Sequence, residues 1–297
     1  MRWREGRESE NVEDERGAGG GGLGVPGGGL RIGLGGVLLI VVGAWLFGAD
    51  PMTLLQQLGG AGVATQSPDG GYAQPGAPRE PGAPQDEGAE FVSKVLASTE
   101  DTWGDIFQRG GSQYTPPKLV LFSEVVRSAC GMAQGASGPF YCPRDQKVYI
   151  DLDFYRQLRD EFHAPGDFAQ AYVIAHEVGH HVQTLMGTSE QVRQQQAQSS
   201  ENANALSVAL ELQADCYAGV WANHANQATQ LLEPGDLEAG LRAAAAVGDD
   251  TIQKRSRGYV VPESFTHGSA QQRTSWFRRG FDSGALASCD TFGSGGG

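Results

Sequence analysis

Basic residues are scarce in this chain. Its 297 residues include 22 lysines and arginines against 35 acidic residues, which gives a formal net charge of −13. An acidic surface repels nucleic acids and anionic lipid surfaces, so we expect neither as a partner. Cysteine is also scarce, with four residues and no C-x-x-C pair. This spacing argues against a four-cysteine zinc site.

Long uncharged apolar runs are absent from the sequence, with one exception. Residues 32–48 carry no charge, and as a helix they would span about 26 Å, close to the ~30 Å hydrocarbon core of a bilayer. A buried core helix would need a partner nearby, yet glycine-rich sequence lies on both sides. A cleaved signal peptide usually lacks so long an acidic region ahead of its apolar part. We therefore expect a transmembrane helix over residues 30–49.

Basic residues orient this predicted helix. The arginines that precede or begin it are Arg2, Arg4, Arg7, Arg16 and Arg31. No lysine or arginine follows until Arg79. Because basic flanks stay in the cytoplasm, the sequence predicts a single-pass cell-membrane protein. Its N-terminus would be cytoplasmic, and residues 50–297 would lie outside.

Composition divides the rest of the chain into three parts. Residues 1–29 are charged and then glycine-rich, which is typical of a disordered tail. Residues 50–87 are rich in Gly, Pro and Gln and predict a flexible linker. Residues 88–292 are long enough for one domain with a sizeable core. The patterns within this domain predict an α+β fold, mostly helical with a small sheet, with strands near 117–122 and 145–150 and helices near 88–108, 151–162, 167–186, 201–226, 236–257 and 268–280.

The most informative pattern is His176-Glu177-x-x-His180. Positions four apart share one face of a helix, so His176 and His180 can bind one metal ion together. Glu177 lies beside them and can hold the proton of a metal-bound water. The alternative is a helix with two ordinary histidines, but the flanking residues are apolar and buried histidines need partners. A regular helix turns His181 away from the metal, which predicts a structural role for that residue.

A third metal ligand is expected, because hydrolytic zinc sites usually combine three protein ligands with a water. Glu211 and Asp215 stand four apart in a second apolar segment, residues 207–222. Two buried carboxylates would repel each other unless a cation and a histidine lay beside them. We expect Glu211 to bind Zn²⁺ and Asp215 to accept a hydrogen bond from the far nitrogen of a ligand histidine. The alternative is an exposed acidic stripe.

H-E-x-x-H followed by E-x-x-x-D on a later helix resembles the gluzincin pattern. The chain resembles in particular the neutral zinc metallopeptidase family of bacterial membrane-anchored proteins, through residues 138–143, 148–151, 175–183, 211–219 and 265–273. The resemblance implies a zincin-like fold and one Zn²⁺ per chain held by His176, His180 and Glu211, with Glu177 as general base. It also implies an edge strand within residues 140–150 that pairs with extended peptide substrates.

Two residues near the end of the domain are candidates for a further catalytic role. Peptide hydrolysis at zinc creates an oxyanion, which a nearby donor can stabilise. His267 is the best remaining donor and Arg273 the second, and CAAX-type proteases carry a similar Thr-His followed by an Arg. The alternative is that Thr266 caps a helix that begins near Gly268.

Four cysteines allow three disulfide connectivities, among which the sequence does not choose. Cys130 and Cys142 flank one loop, and pairing them would leave Cys216 to pair with Cys289. Four reduced thiols are the alternative.

These patterns predict a membrane-anchored zinc metallopeptidase that hydrolyses peptide bonds in extended or unfolded polypeptides outside the cytoplasm. Two other functions stay open. A membrane-tethered binding or assembly factor with a structural zinc would have a fourth protein ligand such as His267. A zinc amidase would act on cell-wall peptides instead. The sequence does not indicate an oligomeric state.

Overall fold

The computed structural model describes residues 1–16, 86–135 and 138–293. The predicted membrane helix at 30–49 and nearly all of the predicted linker at 50–87 lie outside these ranges. Among the helices in the described ranges, none is long and apolar enough to cross a bilayer.

Helices make up most of the described structure, and strands form a small part of it. The α-helices are α1 Glu87–Arg109, α2 Asp153–Asp160, α3 Asp167–Leu185, α4 Thr188–Gln198, α5 Ala203–Thr229, α6 Asp236–Ala246, α7 Asp249–Arg257 and α8 Ala270–Ser283. The strands are β1 Val12–Asp14, β2 Lys118–Phe122, β3 Val125–Ser128, β4 Gly131–Gln134, β5 Phe140–Cys142 and β6 Lys147–Asp151. The predicted α+β class, mostly helical with a small sheet, is confirmed.

The main sheet has the strand order β1-β2-β6-β5, and β3 and β4 form a separate hairpin. Strands β1, β2 and β6 run parallel, and β5 is an antiparallel edge strand on β6. Because side chains alternate along a strand, Leu119 and Leu121 enter the large helical core, while Val120 and Phe122 face a second cluster. Val126 of the hairpin belongs to that second cluster. The sheet is therefore buried on both faces.

The first sixteen residues belong to the folded domain. Val12 pairs with Leu119, so β1 forms one edge of the sheet, and Trp3 is buried with its ring edge-on to Phe91 at 5.3 Å. Glu100 accepts a hydrogen bond from Asn11 at 2.8 Å. The predicted disorder of residues 1–29 is thus wrong for residues 1–16. Charged local composition suggested a tail, whereas the partners that bury these residues come from much later in the chain.

This sheet also bears on the predicted membrane topology. Two strands of one hydrogen-bonded ladder must lie in the same compartment, since a bilayer cannot separate them. A cytoplasmic placement of residues 1–16 and an extracytoplasmic placement of the β2 strand therefore cannot both hold.

The helices mostly follow the predicted positions, with two differences. The predicted helix at 236–257 is two helices, α6 and α7, which are broken at Gly248. A Cβ at Gly248 would overlap the backbone of Ala270, the first residue of α8. Glycine at this position therefore lets the chain turn against the start of α8. Helix α4 and the β3–β4 hairpin were not predicted, because neither has a strong apolar period.

Two disulfides and one close helix crossing tie the elements together. Cys130 is bonded to Cys142 and Cys216 to Cys289, one of the three connectivities that four cysteines allow. Helices α5 and α8 make the most extensive contact between helices in the described structure. A Cβ at Gly280 would overlap the carbonyl oxygen of Cys216. This crossing brings the start of α8 against α5 and toward the metal-binding motif.

Candidate metal centre

Helix α3 carries the H-E-x-x-H motif through the middle of the domain. It packs against α1, α5 and α6, and its apolar side chains Ile174 and Val178 are fully buried. His176 is 6 % exposed and Glu177 is 8 % exposed. Such burial favours polar partners, and helix α5 supplies them for His176.

Three side chains from α3 and α5 converge on one point. Nε2 of His176 lies 3.2 Å from Oε2 of Glu211, and Nε2 of His180 lies 3.4 Å from Oε1 of the same carboxylate. One potential ligand atom from each of these residues lies within 4.8 Å of the other two. In the described part of the chain, this is the one group of three or more His, Cys, Asp or Glu side chains so arranged. Two imidazoles and a carboxylate are donors suited to Zn²⁺.

The far nitrogens of both histidines are held by hydrogen bonds. Nδ1 of His176 lies 2.9 Å from Oδ1 of Asp215, and Nδ1 of His180 lies 2.9 Å from Oε1 of Gln183. Each partner accepts from Nδ1, which directs Nε2 at the metal position, where it can bind a metal once its own proton is lost. Asp215 thus lies where the sequence analysis expected it. Gln183 was missed, although its spacing three residues after His180 places it on the same helix face.

Arg273 lies on the other side of Asp215. Its Nε donates to Oδ2 of Asp215 at 2.8 Å, and its Nη1 donates to the carbonyl oxygen of Val247 at 3.2 Å. The guanidinium is 3 % exposed, and Tyr172 donates its hydroxyl proton to the same aspartate. Arg273 therefore balances the buried charge of Asp215. The contact with Asp215 differs from the role of oxyanion donor that the sequence predicted for Arg273.

The electrostatics of the cluster suit a bound cation. Burial alone would raise the pKa of Glu211, but the charges and hydrogen bonds of His180 and His176 outweigh it and hold that pKa well below its usual value. Burial lowers the pKa of His176, and the charge and hydrogen bond of Asp215 overcome this effect and raise it to about 10. In the metal-free protein, protons thus supply the positive charge that the carboxylates demand. A divalent cation supplies the same charge when it displaces them.

Glu177 lies beside the three predicted metal ligands, and its carboxylate is free to accept a proton. No side chain among the described residues forms a hydrogen bond with its carboxylate. Burial raises its pKa, and the positive charges of His176 and His180 oppose that rise. A carboxylate with a raised pKa accepts a proton more readily than an ordinary one.

His267 is held by Asp249, the first residue of α7. Nδ1 of His267 lies 3.2 Å from Oδ1 of Asp249, and the side chain is 52 % exposed. Oδ2 of Asp249 accepts backbone hydrogen bonds from Thr266 at 2.8 Å and from Gly268 at 3.0 Å. Ser269, and not Thr266, caps α8. The hydrogen bond to Asp249, together with the charge of Glu211, outweighs burial and raises the pKa of His267.

Asp249 was missed by the sequence analysis. It lies 18 residues before His267, in a stretch that was predicted as the middle of one long helix. Nothing in its local pattern distinguishes it from an ordinary acidic residue in the first turn of a helix.

His181 has the structural role that was expected of it. It is fully buried, and its ring nitrogens lie 3.1 Å from the hydroxyl of Tyr141 and 2.7 Å from the carbonyl oxygen of Thr115. It thus faces β5 and the segment that precedes β2, and not the metal position.

Comparisons with known proteins agree with the zinc site described above. The family model that matches residues 1–292 is described as "Putative neutral zinc metallopeptidase". The chain is 51 % identical over 297 residues to YpfJ of Escherichia coli strain K12, covering 99 % of both chains. It is 39 % identical over 261 residues to Rv2575 of Mycobacterium tuberculosis strain H37Rv, covering 84 % of this chain and 85 % of that relative. No solved structure matches this chain.

Proposed function

Because the chain belongs to the neutral zinc metallopeptidase family, we propose that it is a zinc-dependent peptidase. It hydrolyses peptide bonds in extended or unfolded polypeptides outside the cytoplasm. The observation that carries this proposal is the convergence of His176, His180 and Glu211, with the carboxylate of Glu177 beside them.

Three side chains would hold one zinc ion. His176 and His180 contribute Nε2, and Glu211 contributes a carboxylate oxygen. When bound, Zn²⁺ acidifies a coordinated water and polarises a substrate carbonyl. The described group contains three ligands, which supports an open fourth position for water and argues against a closed structural site.

One residue of the chain would transfer the proton of the attacking water, and another would stabilise the negative charge on the substrate. Glu177 takes the proton of the attacking water and passes it to the leaving amine. His267, whose pKa is raised by its hydrogen bond to Asp249, donates a hydrogen bond to the oxyanion that forms on the substrate carbonyl. Arg273 acts through Asp215, which orients His176, and so has a positioning role.

The edge strand β5 supports an extended substrate. Among the described strands it pairs with β6 alone, and α3 lies against it. A free edge beside a metal centre can add a polypeptide as a further strand through main-chain hydrogen bonds. A folded substrate cannot present such a strand, so unfolded polypeptides are favoured.

The two disulfides support an oxidising compartment for this domain, because disulfides persist mainly outside the cytoplasm. Residues 1–16 would then lie in that compartment as well, since β1 pairs with β2. The single-pass helix predicted at residues 30–49 is not part of this proposal, because one crossing of the bilayer would separate β1 from β2.

The variant Glu177→Gln tests the proposal. It should keep its zinc, because Glu177 is not a ligand, and should lose turnover by on the order of 10²–10⁴-fold, because the proton acceptor is gone. The measurements are metal content of the purified chain and cleavage of unfolded casein, with and without a chelator. The control is Glu190→Gln, which changes an exposed glutamate on α4 and should leave both readouts unchanged.

Two results would contradict the proposal. A Glu177→Gln protein that cleaves casein at the native rate would remove the general base from the mechanism. A native chain that holds zinc but leaves casein intact while releasing peptides from cell-wall material would point to the amidase instead.

A further inference from the structure

One side-chain hydrogen bond joins the edge strand to the zinc-binding helix. The hydroxyl of Tyr141, the central residue of β5, lies 3.1 Å from Nδ1 of His181 on α3. The two rings also meet edge-on, with centroids 5.5 Å apart. His181 directly follows the predicted ligand His180, so this hydrogen bond links β5 to a residue next to the metal site.

The direction of the hydrogen bond follows from the other ring nitrogen. Nε2 of His181 lies 2.7 Å from the carbonyl oxygen of Thr115, and a carbonyl can only accept, so Nε2 carries the hydrogen. His181 is fully buried and forms no ion pair in the described part of the chain, which favours the neutral ring, and its Nδ1 then accepts. Tyr141 is therefore the donor, and burial raises the pKa of its phenol to about 12, which keeps that proton in place.

The neighbours of Tyr141 are anchored on the opposite face of the sheet. Phe140 stacks on Tyr149 with ring centroids 4.8 Å apart, and Cys142 forms the disulfide with Cys130. Both belong to the cluster on the hairpin side. Tyr141 is thus the one residue of this three-residue strand that faces α3, and its hydroxyl fixes how the strand lies relative to the metal ligands.

We propose that Tyr141 and His181 are positioning residues for the substrate. They hold β5 at the distance from the metal ligands at which a polypeptide paired with the strand presents its scissile carbonyl to the metal. This role rests on the proposed peptidase function, and it adds the contact that positions the substrate strand relative to the metal ligands.

Tyr141→Phe removes the hydroxyl and little else. The matched control is Tyr149→Phe, which removes a hydroxyl from the adjacent strand β6, where it donates to Asp145 at 2.9 Å and does not reach α3. The assay uses the full zinc-loaded chain and an unfolded-peptide substrate. Tyr141→Phe should raise KM about fivefold, while kcat should change less than twofold. A fivefold rise in KM is the size expected for the loss of one neutral hydrogen bond. Tyr149→Phe should leave KM within about twofold of the native value.

Hydrogen exchange provides a readout that does not depend on turnover. The backbone amides of residues 140–142 should exchange faster in Tyr141→Phe than in Tyr149→Phe, with equal zinc content in both. The double variant Tyr141→Phe with His181→Gln should be no worse in KM than the more impaired single variant, because both changes remove the same hydrogen bond between Tyr141 and His181. If His181→Gln does not fold, the comparison of the two phenylalanine variants is sufficient.

The positioning role and the peptidase function can be refuted separately. A native chain that cleaves the peptide, with Tyr141→Phe and Tyr149→Phe equal in KM and in amide exchange, would overturn the positioning role and leave the peptidase intact. A fall in kcat with unchanged KM would also overturn it. A native zinc-loaded chain with no cleavage would refute the proposed function and this inference with it.

Discussion

The two ligand histidines are oriented by partners of different charge. His176 meets the carboxylate of Asp215, whereas His180 meets the neutral amide of Gln183. A carboxylate partner makes an imidazole a stronger donor to a metal than an amide does. The extra negative charge on the His176 side is balanced by Arg273. Charge is thus neutralised locally, and the pair formed by Asp215 and Arg273 can remain fully buried.

The pair formed by Asp249 and His267 predicts a change in pH dependence. Asp249 raises the pKa of His267, and in the proposed mechanism His267 stabilises the oxyanion only while it is protonated. Activity should therefore be present below that pKa and fall as the pH rises through it. Asp249→Asn lowers the pKa, so the alkaline loss of kcat/KM should begin at a lower pH. The measurement is the pH profile of kcat/KM for an unfolded peptide.

The neighbouring carboxylate provides the control for this prediction. Asp250 accepts hydrogen bonds from the backbone of Thr251 and Ala270 and none from His267. Asp250→Asn should therefore leave the alkaline limb where it is. Identical pH profiles for Asp249→Asn and the native chain would exclude His267 as the protonated donor.

Single residues were predictable where their partners lie within a few helical turns. The spacing of His176, Glu177 and His180 defines one helix face without any knowledge of the fold, and the spacing of Glu211 and Asp215 does the same. Tyr141 lies 40 residues from His181, and Asp249 lies 18 residues from His267. Such pairs arise from the packing of strands and loops, which local patterns do not encode.

At the scale of elements, the crossing of α5 and α8 predicts an effect on stability. A Cβ at Gly280 would overlap the carbonyl of Cys216, so Gly280→Ala must push the two helices apart. Overpacking of this kind costs about 1–3 kcal/mol, which should lower Tm by roughly 3–10 °C for a domain of this size. Zinc affinity should fall too, because α8 carries Arg273 to Asp215.

Gly104 provides a matched control for this substitution. It lies within α1, and a Cβ there would meet no atom within 4 Å. Gly104→Ala should keep or slightly raise Tm, since alanine favours a helix over glycine by about 1 kcal/mol. Equal Tm values for the two alanine variants would show that the helices can part without cost. Thermal unfolding followed by circular dichroism measures both.

Elements were predictable where their apolar period is strong. Helices α1, α3 and α5 lie within a few residues of the predicted spans. The break between α6 and α7 was not predicted, since its cause is the contact of Gly248 with the start of α8. The β3–β4 hairpin has mostly exposed residues, and it therefore lacks the alternation that marks a half-buried strand.

At the scale of the whole molecule, the N-terminal segment is expected to be essential for folding. A chain that begins at residue 17 would lack β1 and Trp3, which leaves the edge of β2 unpaired and Phe91 exposed on one side. It should be insoluble or show a much lower Tm than the full chain. A synthetic peptide of residues 1–16, added during refolding, should restore part of the loss.

A peptide with Trp3→Ala serves as the control for that experiment. It keeps β1 but loses the buried indole, so it should restore less stability than the native peptide. A truncated chain with native Tm would show that residues 1–16 contribute little. The family match, which begins at residue 1, agrees with a segment that belongs to the domain.

The parallel pairing of β1 with β2 also matters for biogenesis. Val12 leaves the ribosome long before Leu119, its partner. Strand β1 therefore cannot pair until β2 has been synthesised. Under the proposed export, translocation has to deliver residues 1–16 to the same side as the rest of the domain. A secretion route that retained or clipped the leading sixteen residues would release a protein with an open, aggregation-prone sheet margin.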